Sequence, residues 1–148
     1  MKSHEIESLP QVPEMEALVL GALIIEPETI TQIAPVLEPE HFCNPINAAV
    51  YGVMRAMYDA NEQIDLYTVV DRCKKVEALK QLKVPALLAS YTQKVGSGVH
   101  TVTHAHIVKE QFIRRKMIEA SLKISGMASD RSIDMSETLD CFSKLADQ

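Results

Sequence analysis

Tryptophan is absent from this 148-residue chain, aromatic residues make up only 5% of it, and there are five glycines. A core short of rings and β-branched runs, filled instead from Leu, Ile, Val, Ala and Met, favours helices over a sheet. The cysteines, Cys43, Cys73 and Cys141, are odd in number, far apart and without C-x-x-C spacing. That excludes a disulfide framework or a thiolate zinc site, and it predicts reduced thiols in a cytoplasmic protein. Long apolar runs are missing too. The stretch from Leu18 to Ile25 is too short to cross a bilayer, and the opening residues MKSHEIESLP lack the apolar core of a signal peptide, so no membrane partner is expected.

Positive charge is also scarce. Fifteen basic residues stand against twenty acidic ones, a net charge of −5, and no basic run exceeds Arg114-Arg115-Lys116. A domain that grips a phosphate backbone usually carries a basic balance or stripe, which argues against direct DNA binding. The five glycines never form G-x-x-x-x-G-K or a dinucleotide fingerprint, so no nucleotide cradle is expected, and no H-E-x-x-H occurs. Neither cofactor nor metal is expected in this chain, and no catalytic residue is assigned. His100 and His104 are four apart, with His106 beyond, but no fourth ligand clusters with them; they read as surface or interface histidines. Glu14 and Glu16 read as first-turn charges near a helix N-terminus, and Glu38 and Glu40 as the flanks of a proline turn. Cys73, on an apolar stripe, reads as a small core residue.

What is present is helical periodicity. Residues 1–12 read as a flexible arm, after which Pro13 opens a central helix to about residue 26. A short helix is expected over 28–37. Phe42 should anchor a turn, and a helix over 46–60 should carry a stripe of Ile46, Ala49, Val50, Val53, Ala56 and Met57, widened by Tyr51, Met54 and Tyr58. Asp65 should cap the next helix, with Ile64 and Val69 as a hydrophobic staple. Pro85 opens a further helix to about residue 95, and Gly96-Ser97-Gly98 marks a break. Beyond it, residues 103–125 predict a long helix with Ile113, Met117, Ala120 and Ile124 on one face, broadened by Ile118 and Leu122. A polar loop leads to a last helix with Met135, Leu139, Phe142 and Ala146 at the same spacing. The expectation is an all-α chain: a globular helical bundle over 13–98, then an antiparallel helical hairpin over 99–148.

Five motifs in order carry a resemblance. The run from Pro13 to Ile25, with its Leu20-Gly21-Ala22-Leu23 centre, resembles the opening helix of the DnaB family of bacterial replicative helicases. Pro39-Glu-His-Phe42 is similar to that family's P-E-D-F, and residues 46–60 to the helix that follows. Gln63-Ile-Asp-Leu-Tyr-Thr-Val69 is similar to its x-I-D-L-x-T-V, and the run from Ile107 to Ile118 to its I-V-R-E-x-x-x-R-R-x-L-I. The sequence departs from the pattern at Lys83-Val84-Pro85, where the family has a glycine pair, and at His104, where it has tyrosine.

The resemblance implies a non-catalytic N-terminal domain that forms dimers, three of which build a collar on a hexamer. Primase docks there, and a helicase loader is a further partner. It also implies a following motor domain, absent from these 148 residues, that would bind ATP and magnesium, contact DNA and unwind it. Within the chain, apolar spacing in excess of what a two-helix contact can cover points to Ile113, Met117, Ala120, Ile124, Met135, Leu139 and Phe142 as the self-association or partner surface, and Gly21, Phe42 and Asp65 read as structural residues. The competing reading is a helical nucleic-acid-binding module, for which Arg114, Arg115 and Lys116 are the only hint.

Overall fold

The structure, a computed structural model, describes residues 12–148, so the expected arm lies outside the described residues but for Val12. All regular structure among them is helical: α1 (Pro13–Ile25), α2 (Ile30–Ile33), α3 (Pro45–Asp59), α4 (Leu66–Cys73), α5 (Val84–Lys94), α6 (Thr101–Ser129) and α7 (Met135–Ala146), with four short 3-10 turns between them. The helix expected over 28–37 is broken into a 3-10 turn at Pro27–Thr29 and a single α-helical turn. The long helix starts two residues early and runs four past its expected end. The described residues fall into two compact units, up to Phe112 and from Ile113 onward, the division lying inside α6.

In the first unit α1 is the core helix. Val19, Leu20, Leu23, Ile33, Leu37, Val50, Tyr51, Met54, Val69 and Leu88 have no exposed surface. The core continues past the glycine break, since Ala105 and Val108 on the first turns of α6 are buried in it. Gly21 lies where α1 meets α5: a Cβ there would be driven into the carbonyl of Tyr91 and the side chain of Val95, so only glycine lets the two backbones come this close. Phe42 is buried against the ring of Tyr51, 4.9 Å between centroids. Cys73 is fully buried and its thiol is pushed up to about 11 by that burial.

Helix starts are set by short-range hydrogen bonds. Asp65 accepts from the amide of Thr68 at 2.9 Å while the Thr68 hydroxyl accepts from the amide of Asp65 at 3.0 Å, which satisfies two orphan donors at once. Ile64 and Val69, on either side of that cap, are both buried. Asn44 does the same for α3, its Oδ1 accepting from the amides of Ile46 and Asn47.

Two sequence expectations are amended here. Glu16 does stand in the first turn of α1, and its side chain is also 1% exposed. Its carboxylate accepts from the amides of Cys43 (2.8 Å) and Asn44 (3.2 Å) and from the Asn47 side chain (3.1 Å), and the Tyr91 hydroxyl donates to Asn47 at 2.7 Å. This chain of polar contacts ties α1, α3 and α5 together, and hydrogen bonding is what makes a buried carboxylate tolerable. The second correction is the inward face of α3. The helix buries Asn47, Val50, Tyr51, Met54 and Met57, whereas Ala49 and Val53 are half-buried and Ala56 is exposed. Tyr51 and Asn47 can face inward because their polar tips find partners, the Tyr51 hydroxyl donating to the Leu37 carbonyl at 2.9 Å. Ile46, Ala49 and Val53 of the expected stripe pack against the edge of the core, and only Ala56 is exposed.

Candidate assembly surface

The second unit holds the distal half of α6, a tight loop and α7. Asp130 organises the loop: its Oδ1 accepts from the Ser132 amide at 2.9 Å and from the Ser132 hydroxyl at 2.6 Å, and these bonds hold its carboxyl below the usual range. Asp134 then caps α7, accepting from the Ser136 amide at 3.3 Å and the Ser136 hydroxyl at 3.0 Å.

Between the two helices runs a groove of about 480 Å³, lined by Met117, Ala120, Ser121 and Ile124 from α6 and by Phe142, Leu145 and Ala146 from α7. Ala120 and Ile124 are half-buried on its floor, while Met117 and Phe142 remain 65% and 57% exposed. Ile113, Met135 and Leu139 are also exposed. Ile118 and Leu122 do not broaden this face. With 3.6 residues per turn Ile118 stands about 100° from Met117 and about 120° from Ile124, Leu122 about 140° and about 160°, and both are exposed on another side of α6. This half of α6 therefore presents apolar side chains on more than one side, and no apolar residue after Val108 is buried.

Arg114, Arg115 and Lys116 do not form one exposed basic face, because Arg115 is 7% exposed and only its neighbours are on the surface. His100 and His104 lie 6.3 Å apart, ring to ring, and no group of three potential ligands that could hold a metal occurs among the described residues. Cys73, Glu16 and Tyr91 are buried in the first unit and Glu38 turns back on its own backbone segment, where its amide donates to His41 Nδ1 at 3.0 Å. No helix among the described residues is long and apolar enough to cross a membrane.

A helical unit with a deep polar staple and an open apolar hairpin has clear relatives. Residues 8–110 match the model of the DnaB-like helicase N terminal domain, about two-thirds of the chain. The chain belongs to that family. It is 34% identical over 131 residues to the replicative DNA helicase DnaB of Rhodothermus marinus, and 27% identical over 130 residues to the replicative DNA helicase DnaC of Bacillus subtilis. Those matches cover 88% of this chain but only 14% and 29% of the two relatives, so the chain spans a minor part of their length. The fold also matches the crystal structure of the N-terminal domain of DnaB helicase from Mycobacterium tuberculosis, with a TM-score of 0.84 and 22% identity over 94% of this chain and 98% of that one.

Proposed function

We propose that the chain is the non-catalytic assembly domain of a replicative DNA helicase, which dimerises through its hairpin, contributes to a hexameric collar and offers that collar to primase. The observation that carries this reading is the contrast in the second unit: exposed Met117 and Phe142 line an open groove, Ile113, Met135 and Leu139 on the same two helices are exposed as well, and no apolar residue of the unit is buried. Contiguous apolar surface of more than several hundred Å² is uncommon on a monomer and marks a partner surface. An isologous pair of hairpins covers one such face with another, the commonest arrangement for like subunits. The names of the relatives supply the helicase context, and ATP-driven unwinding, with magnesium, belongs in this reading to a motor domain outside these residues.

Sedimentation equilibrium tests it. The chain is expected to form a dimer that Phe142→Glu or Leu139→Glu converts into a monomer with unchanged helicity, because a carboxylate at the seam loses its solvation only in the dimer. Purified primase should co-migrate with the dimer. A parent chain that stays monomeric at high concentration overturns the pairing. A glutamate variant that unfolds outright overturns it as well, since its side chain would then belong to the internal core.

A further inference from the structure

The second unit is apolar along its groove and electrically polarised along its length. Beyond the loop at 130–134, α7 turns back along α6, so that Phe142, Leu145 and Ala146 line one groove with Met117, Ala120, Ser121 and Ile124. Residues 113–119 and 141–148 therefore form one end of the hairpin, and residues 120–140 form the other. The charges are sorted between these ends. The first holds Arg114, Arg115, Lys116 and Lys144 against Glu119 and Asp147, a net charge of +2. The second holds Asp130, Asp134, Glu137 and Asp140 against Lys123 and Arg131, a net charge of −2. All of these residues except Arg115 are exposed. The ion pair of Lys116 with Glu119, at 3.2 Å, joins two members of the first end and leaves its balance unchanged.

A two-fold axis can seat two such grooves against each other in two ways. In the antiparallel one, each basic end lies beside the acidic end of the other copy. In the parallel one, like charge faces like at both ends. Packed helices lie about 8–10 Å apart, close to the screening length of about 8 Å at physiological salt, so charge is felt across the seam. Within one hairpin α6 runs roughly 24 Å from Ile113 to Ser129 at about 1.5 Å per residue, too far for the two ends to neutralise each other. The apolar face contributes affinity in either arrangement, and the charges choose between them.

We propose that the groove is covered by a second copy of this chain in antiparallel register, a direction fixed by the acidic end of each hairpin lying on the basic end of the other. This rests on the hairpin dimer proposed above and adds its direction and the groups that set it.

Two measurements test it. A benzophenone side chain placed at Ser136, exposed in the acidic end, is expected to cross-link to residues 113–119 or 141–148 of the other copy. Capture of residues 127–137 instead means parallel hairpins, and overturns the direction while the dimer stands. A chain that stays monomeric in sedimentation at every concentration overturns both. The second measurement combines Asp140→Lys with Lys144→Asp, two exposed positions one helical turn apart. The exchange keeps composition and net charge and brings each end to zero. It is expected to weaken the dimer by about tenfold at low salt, with helicity unchanged. At about 1 M salt, where the screening length falls to about 3 Å, parent and variant should dimerise within about twofold of each other. An equal loss at both salt concentrations would assign the effect to packing at the seam, and no loss at low salt would leave the charges without a role. Either result overturns the proposal.

Discussion

The two units of this chain use the same residue types to opposite ends. Up to Phe112, leucine, isoleucine, valine and methionine disappear into a core organised around α1, and even a glutamate is enclosed with its donors supplied. From Ile113 onward Ile113, Met117, Ile118, Leu122, Met135, Leu139 and Phe142 stand 37–65% exposed on α6 and α7, Ile124 and Leu145 are half-buried, and the residues that are buried are Arg115 and Thr138. A core stabilises its own unit through the area it removes from water. A hairpin that leaves that area in water forgoes that stabilisation, and in the proposed reading a second surface covers it.

The contrast is broken most directly by the same substitution made once in each unit. Leu23→Ala removes a side chain with no exposed surface and leaves a cavity in a packed core, so it is expected to destabilise by about 2–5 kcal/mol. Leu139→Ala, at a site 58% exposed, is expected to change monomer stability by no more than about 0.5 kcal/mol. Urea unfolding at a dilution that suppresses association reads both. Equal losses would mean that the hairpin has a core of its own.

A smaller effect is expected where polar atoms, not apolar ones, hold the first unit together. Glu16→Ala deletes the acceptor for two backbone amides and the Asn47 side chain. Leaving buried donors unsatisfied costs roughly 1–3 kcal/mol, and hydrogen bonds to a charged acceptor lie at the upper end. The variant should therefore melt well below the parent, whereas Glu14→Ala, two residues away and exposed, should not. If both behave alike, the network contributes nothing and Glu16 acts only as a charge near a helix N-terminus.

These examples also show what a sequence can and cannot display. The capping box at Asp65 needs only residues three apart, so its pattern is local and legible. The helical class and the α6–loop–α7 succession follow from periodicity over a few turns. The partners of Glu16 lie 27 to 31 residues away, and nothing in the first turn of α1 announces them. The face of α3 misleads in part for a related reason: hydrophobicity selects Ala56, which is exposed, and passes over Asn47, which goes inside because Glu16 and Tyr91 satisfy its polar end. The exposed residues of the hairpin follow from spacing, whereas the place of Ile118 and Leu122 was obscured by counting apolar residues without their angle around the helix.

The smallest difference expected between the units lies in their helix caps. Asp65 and Asp134 occupy the same position relative to α4 and α7, and alanine removes the same carboxylate from each. At Asp65 the bond to the Thr68 amide is 2.9 Å, it is returned by the Thr68 hydroxyl at 3.0 Å, and the helix it starts buries Val69 and Cys73. At Asp134 the bond to the Ser136 amide is 3.3 Å, both residues are exposed, and the backbone can exchange it for water. Asp65→Ala is therefore expected to lower stability by about 1 kcal/mol and Asp134→Ala by a few tenths, the lower end of the range for lost caps. Amide hydrogen exchange separates them more sharply than melting. Loss of the Asp65 cap should speed exchange through α4 and its packed neighbours, while loss of the Asp134 cap should fray only the first turn of α7. If the Asp134 variant instead loses protection along the whole of α7 and α6 beyond Ile113, the hairpin is a cooperative unit by itself, and the distinction between a self-sufficient core and a waiting surface fails.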